Sequence, residues 1–225
     1  MSDGEERAVA RVRVWDLGTR IFHWALVVLI PFSWYTGEEG DMELHIASGT
    51  AILTLVLFRL LWGLWGSDTA RFARFLRGPG AVIAYLKGWL ARAGGTTVGH
   101  NPAGGWMVAL MLLALAVQPV LGLFSANEDN FTEGPLAHLV SSRTSDMLLE
   151  WHELVFNVIV ALAVLHVLAV LLYLVHQKDN LIGPMFTGHK SFGAPVAPPG
   201  LRPFWQALLT AVLAYGLVWV ITTQL

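Results

Sequence analysis

Five stretches of the chain, residues 17–37, 43–66, 105–125, 147–176 and 203–223, are long and apolar enough to cross a lipid bilayer. That leaves few folds open. A backbone inside hydrocarbon has to satisfy its own hydrogen bonds, so each stretch is expected as an α-helix. Composition agrees: 55% of the 225 residues are hydrophobic and only 13% are charged, with a mean hydropathy of +0.58. The expected fold is all-α, a polytopic membrane protein with a four-helix transmembrane bundle and a fifth, C-terminal transmembrane helix. Residues 1–190 read as the membrane domain, and residues 191–225 as a linker and additional helix. No internal repeat and no separate soluble domain is visible. A net charge of −2 gives no reason to expect a nucleic-acid partner.

The charged residues orient the spans. Arg7, Arg11, Arg13 and Arg20 precede the first span; Arg71, Arg74, Arg77, Lys87 and Arg92 lie in the second loop; Lys178, Lys190 and Arg202 lie in the fourth. The first loop carries Glu38, Glu39, Asp41 and Glu43 with no base, and the third carries Glu128, Asp129, Glu133 and Asp146 against Arg143. Basic and acidic sides alternate, so the N-terminus is expected in the cytoplasm and the C-terminus outside. Residues 1–6 are acidic and no small-residue cleavage site follows a short apolar run, so the first span reads as retained. Segments 68–77 and 79–92 read as short cationic helices lying in the membrane interface, the alternative being a solvated basic loop. Residues 126–146 read as a polar outer loop and 183–201 as a glycine- and proline-rich linker.

Five of the eight histidines fall within these spans, His176 at the last position of its span and the other four, His23, His45, His152 and His166, further in. His152 and His166 stand 14 residues apart, a rise of ~21 Å and four turns less ~40° on one helix, so both imidazoles point to nearly one side at two depths. By the expected orientation His45 shares the outer depth with His152, and His23 the inner depth with His166. Two imidazole pairs at two depths suit two flat, metal-centred cofactors stacked across the membrane. The plainer reading of any one such histidine is a hydrogen-bonded core residue. With no cysteine, disulfides, cysteine-ligated clusters and covalent c-type haem are excluded, and any haem is a b type. Two axial imidazoles leave no open iron position, which makes an electron carrier rather than an oxygen binder. Ser48, Gly49, Ala163 and Ala169 are small enough to admit a porphyrin edge. His100, His138, His176 and His189 fall in loops or at span ends and read as solvated or interfacial.

Two cations stand out. Arg59 lies 14 residues beyond His45, which carries it to the inner depth, and Arg20 lies one turn before His23. A guanidinium there either meets a carboxylate, for which haem propionates are suited, or snorkels to the interface.

These residues lie in motifs that resemble a known family. The motifs are Val14-Trp15-Asp16 with Arg20-Ile21-Phe22-His23-Trp24, Leu44-His45 with Gly49, and Arg59-Leu60-Leu61-Trp62-Gly63. They continue with Gly99-His100-Asn101-Pro102 and Gly105-Trp106, Trp151-His152-Glu153 with His166, and Asn180-Leu181-Ile182, Met185 and Gly188-His189-Lys190. Over about residues 12–190 the chain resembles the prokaryotic di-haem cytochrome b family. That family includes the cytochrome b subunits of membrane-bound nickel–iron hydrogenases and, more distantly, the membrane subunits of formate dehydrogenases. The resemblance implies two b-type haems, with His23, His45, His152 and His166 as axial ligands. It implies a bacterial inner-membrane protein passing electrons between the quinone pool and a periplasmic partner, either a c-type cytochrome or a hydrogenase or dehydrogenase subunit. It also implies quinone chemistry near the inner haem, at His100 and Asn101, for which capping of the third span is the structural alternative. A membrane anchor without redox function, or a histidine-dependent metal or proton transporter, are the competing classes. The fifth span is not needed for the four-helix core and suits a docking role.

Overall fold

The computed structural model describes residues 10–91, 97–127 and 132–224. The acidic residues 1–6, and Arg7, Arg92, Glu128 and Asp129 of the charge pattern, lie outside them. The elements in chain order are β1 (Ala10–Arg13), α1 (Leu17–Glu38), α2 (Met42–Trp65), α3 (Phe72–Phe75), α4 (Pro79–Leu90) and α5 (Pro102–Phe124). Then come the two-residue strands β2 (Ala126–Asn127) and β3 (Thr132–Glu133), α6 (Ser142–Leu172), α7 (Ile182–Thr187), β4 (His189–Phe192) and α8 (Phe204–Gln224). The five long helices match the five expected spans, and the family-level expectation of an all-α membrane bundle holds.

Four of the long helices open on a side-chain cap, which supplies an acceptor to an orphan backbone N–H of the first turn. Asp16 takes Thr19 N–H at 2.8 Å, Asp41 takes Leu44 N–H at 3.3 Å, Asn101 takes Gly104 N–H at 2.8 Å, and Ser141 takes Thr144 N–H at 3.3 Å. The Ser141 cap explains why α6 starts at Ser142, earlier than the apolar run: its first turn is polar and capped, so it continues beyond the hydrocarbon.

Helix α2 packs on α1, α5 and α8, and α5 packs on α6. A seven-residue step is two turns less ~20° and rises ~10.5 Å, so residues at that spacing form one stripe. Each bundle helix turns such a stripe inward: Asp16, His23, Ile30 and Gly37 on α1; His45, Ile52 and Arg59 on α2; Asn101, Val108, Leu115 and Gly122 on α5; Ser145, His152, Ile159 and His166 on α6. With neighbouring helices antiparallel, Ile30, Ile52, Leu115 and Ile159 meet in one aliphatic layer of the shared core. The histidines lie one step to either side. Ser145 and Ile159 are the buried residues of the whole of α6, and both are on this stripe. Helix α8 joins the same core through Ala207 and Ala214 beside α2.

The loops differ from expectation in two places. Residues 183–201 are not a plain linker. The Asn180 carboxamide oxygen accepts the N–H groups of Ile182 at 3.0 Å and Gly183 at 2.9 Å and so starts α7, and Gly188, at φ 80°, ends it. Strand β4 then pairs antiparallel with β1, Arg13 opposite His189, so the boundary expected at 190/191 falls inside a strand. Lys190, 7% exposed, bonds Asp179 at 2.8 Å. Further on, the Asp68 carboxylate accepts Gly200 N–H at 2.8 Å and the buried Ser67 hydroxyl accepts Arg202 N–H at 3.0 Å. Segment 68–77 is likewise not a cationic interface helix. It contains the single turn α3, Phe75 is buried, and Asp68 pairs with Arg71 and lies 3.7 Å from Arg74. Helix α4 forms within segment 79–92 and has no buried residue along its length.

Candidate functional site

The stripes bring the four span histidines together in pairs. The His45 and His152 ring centres are 6.1 Å apart, and those of His23 and His166 6.4 Å apart. A metal–imidazole bond is ~2 Å and the ring centre lies roughly 1.1 Å behind the bonding nitrogen, so two rings facing across one metal ion sit ~6.2 Å centre to centre. Direct imidazole hydrogen bonding or stacking would draw the rings closer. Both pairs fit one metal atom between them.

In the His45/His152 layer the nitrogens are assigned by their partners. His45 Nδ1 lies 2.7 Å from the Ser33 carbonyl oxygen and His152 Nδ1 2.9 Å from that of Gln118. A carbonyl has no hydrogen to give, so each Nδ1 carries the proton and donates it, leaving the Nε2 lone pair for a metal. Sequence reasoning missed the glycines that permit this. Gly37 stands four residues after Ser33, and Gly122 four after Gln118. A β-carbon on Gly37 would lie 2.9 Å from His45 Nδ1, and one on Gly122 3.0 Å from His152 Cε1. Each imidazole reaches its carbonyl through the hole a glycine leaves one turn on. The signal was present in the i, i+4 spacing but needed the partner helix to be read.

The His23/His166 layer is built differently. His23 Nδ1 is buried without a hydrogen-bond partner among the described residues. Arg59, 2% exposed, does not snorkel: Nη1 and Nη2 are buried without a hydrogen-bond partner, and the guanidinium carbon lies 5.1 Å from the Phe72 ring centre. Arg20 Nε is also buried and unpartnered. A buried, unpaired guanidinium costs several kcal/mol unless an anion completes it. The haem group fits here, since it brings two carboxylates to donors that have none.

A crevice of about 570 Å³ between α1, α5 and α6 runs between the layers, lined by Ile30, Trp34, Met111, Leu115, Phe156 and Ala163. Apart from Asn157 its walls are apolar, as suits a macrocycle edge. Gly49 faces open space and Ser48 is held by its own helix, bonding the His45 carbonyl at 2.9 Å.

His100 and Asn101 lie just beyond the His23/His166 layer. Asn101 is bonded at both side-chain polar atoms: its oxygen caps α5, and one of its two Nδ2 hydrogens goes to the Tyr173 hydroxyl at 3.0 Å. Tyr173, seven residues past His166 where α6 widens into a π turn (Tyr173–Gln177), shares a 2.5 Å hydrogen bond with Tyr85 of α4. These two bonds use one of the two Asn101 Nδ2 hydrogens and one hydroxyl hydrogen. The other hydroxyl hydrogen has no acceptor among the described residues. Burial pushes the Tyr85 hydroxyl up from its ordinary value, so it stays protonated at neutral pH. The pair was invisible in the sequence, its members being 88 residues apart.

His100 lies between the rings of Trp15, 4.8 Å away, and Phe75, 4.6 Å away. Burial brings its pKa down from 6.5 to about 3; the Arg59 charge pushes the same way and a hydrogen bond with the Thr69 backbone opposes them. His100 is therefore neutral and unsuited to binding an anion by charge. Because the folded pKa lies below the unfolded one, the unfolded chain binds more protons as pH falls through 6.5. Stability present above that pH is expected to decline toward pH 3. Thermal unfolding midpoints in detergent should show this fall, and His100→Asn should make it shallower. Elsewhere, the His176 ring lies tilted against that of Trp89, 4.9 Å between centres, His189 sits in β4 and His138 in a short turn, Ala137–Leu139.

No curated protein and no solved structure matches the chain. The family described as prokaryotic cytochrome b561 matches residues 14–188, from Val14 through α7 to the glycine that ends it, with all four paired histidines inside. The chain therefore belongs to the prokaryotic cytochrome b561 family, multi-pass membrane proteins that transfer electrons on b-type haem.

Proposed function

We propose that the protein carries two b-type haems, one between His45 and His152 and one between His23 and His166, and passes electrons between the membrane quinone pool and a redox partner across the bilayer. The observation that carries this reading is the pair of imidazole couples, 6.1 and 6.4 Å between ring centres, on one stripe of α6 ~21 Å apart. Each bound haem supplies a one-electron couple, and filling both axial positions keeps oxygen off the iron. The haem-carrying part extends through strand β4 to Phe192, and the segment beyond it adds α8, whose outward face, including Trp205, Leu209 and Trp219, is exposed for lipid or a neighbouring subunit. The charge pattern supports the His23/His166 layer on the cytoplasmic side of a bacterial inner membrane, and a periplasmic partner, a c-type cytochrome or a hydrogenase or dehydrogenase subunit, at the acidic end.

Quinone chemistry belongs at the His23/His166 end. The spare hydroxyl hydrogen of the Tyr85–Tyr173 pair serves a quinone oxygen there, with Asn101 orienting the pair from behind. Oxidation of a quinol releases two electrons and two protons; the phenols, protonated at neutral pH, hold its oxygen by hydrogen bonding, and the protons pass to water.

Two measurements test this. The purified protein should contain two haems per chain with the visible spectrum of six-coordinate b-type haem; a colourless preparation refutes the reading and favours a transporter. Tyr173→Phe and Tyr85→Phe should each slow haem reduction by a soluble quinol at least tenfold while leaving the dithionite-reduced spectrum unchanged. Unchanged rates would remove quinone from this end.

A further inference from the structure

We infer that Trp89 is a second α4 residue that binds the quinone, its indole N–H holding an oxygen of the head group beside the Tyr85–Tyr173 pair. The inference rests on the quinone reading above and adds a binding residue, together with the helix that carries it to the site.

Helix α4 has no buried residue, yet one of its faces is turned to the bundle. Tyr85 and Trp89 are four residues apart and so lie one above the other on that face. Both meet the π turn that ends α6. The Tyr85 hydroxyl shares its 2.5 Å bond with that of Tyr173, and the Trp89 ring centre stands 5.8 Å from that of Tyr173 and 4.9 Å from that of His176. The Gln177 carboxamide donates to the Trp89 carbonyl at 3.1 Å, which fastens α4 to this turn by its backbone.

The Trp89 indole N–H itself is buried and has no hydrogen-bond partner among the described residues. That sets it apart from other tryptophans of the chain. Trp24 donates to the Met185 carbonyl, Trp62 to Asp16, Trp65 to the Thr210 hydroxyl and Trp106 to the Arg77 carbonyl. A buried indole N–H ordinarily finds an acceptor, because leaving it bare forfeits its hydration for nothing. The spare hydroxyl hydrogen of the tyrosine pair and the second Nδ2 hydrogen of Asn101 stand about Tyr173 as well. Donors gathered among aromatic rings suit a flat neutral ligand that presents acceptor oxygens, which a quinone head group does. An indole can donate but cannot accept, so Trp89 holds the oxygen in either oxidation state and takes no proton.

The place suits a ligand arriving from the bilayer. Tyr173 follows His166 by seven residues, a rise of ~10.5 Å along α6, which puts the seam between α4 and α6 next to the inner pair. Leu86 and Leu90 each come one residue after Tyr85 and Trp89, a quarter turn round α4, and are exposed. They give an isoprenoid tail an apolar way out to lipid.

The test is steady-state reduction of the full-length, haem-loaded protein by a tail-less quinol, followed by visible absorption. Trp89→Phe keeps an aromatic ring against Tyr173 and removes the donor. It should raise KM about fivefold, the order of one neutral hydrogen bond, with kcat changed less than about twofold and the pH profile in place. Its haem content and dithionite-reduced spectrum should match the wild type, which shows that the fold is kept. An unchanged KM, with Tyr173→Phe and Tyr85→Phe still slow, would overturn the inference and leave the quinone reading standing. A fall in kcat at unchanged KM would overturn it too, because Trp89 would then act only through the tyrosines. Wild-type rates in both tyrosine variants would instead refute the quinone reading.

Discussion

His152→Ala is expected to leave the protein with one haem, and His45→Ala should remove that same haem. The rings of these two residues stand 6.1 Å apart, and neither has another imidazole as close. His23→Ala and His166→Ala should remove the other haem. The double variant His45→Ala, His152→Ala should therefore keep one haem, whereas His45→Ala, His23→Ala should keep none. Haem-to-protein ratio and low-temperature visible spectra give the count and identity. The effect is large because each change removes one of the two imidazoles that would hold the iron. If His152→Ala and His23→Ala depleted one common haem, the pairing would be wrong, and with it the antiparallel register of α1, α2 and α6.

Much of this arrangement was legible in the chain, because membrane helices obey few rules and obey them strictly. The 14-residue spacing of His152 and His166 assigned two depths, and charge alternation assigned His45 and His23 to them. The structure brings together those partners and puts Arg59 and His166 within electrostatic reach of the same residue, His100. What could not be read was anything accepting through a backbone atom or joining segments far apart. Ser33 and Gln118 act through their carbonyls, which every residue has. The β1–β4 ribbon joins Ala10 to Phe192, and hydrophobic alternation in four residues is too short to announce a strand. Residues 183–201 looked like a linker because glycine and proline mark both turns and loops. The capping by Asn180 and the stop at Gly188 are equally local, but they acquire meaning only with the strand that follows. His100 and Asn101 stand just beyond the His23/His166 layer, and the tyrosine pair adds a hydroxyl donor beside the second Nδ2 hydrogen of Asn101, which no motif announced.

Asp16→Ala is expected to be the most damaging single change outside the histidines. Asp16 is 3% exposed and accepts three hydrogen bonds: from Thr19 N–H at 2.8 Å, the Thr19 hydroxyl at 2.9 Å and Trp62 Nε1–H at 3.3 Å. Trp62 is fully buried, so its donor has no water to turn to. Losing the carboxylate strands these donors at ~1–3 kcal/mol each, on the scale of a whole domain's margin. It also removes the negative charge whose field favours the Arg59 cation. Asp16→Asn keeps the capping oxygen but turns an NH₂ toward the Thr19 hydroxyl and Trp62, so it should recover only part of the loss. Because Asp16 lies on the α1 stripe one step before His23, the damage should reach the two haems unequally. On heating in detergent, the His23/His166 haem should bleach first in both variants while the His45/His152 haem persists. Simultaneous loss of both haems would mean that α1 and α2 unfold as one unit, and that the Asp16–Trp62 tie does not separately hold the end of the bundle it joins.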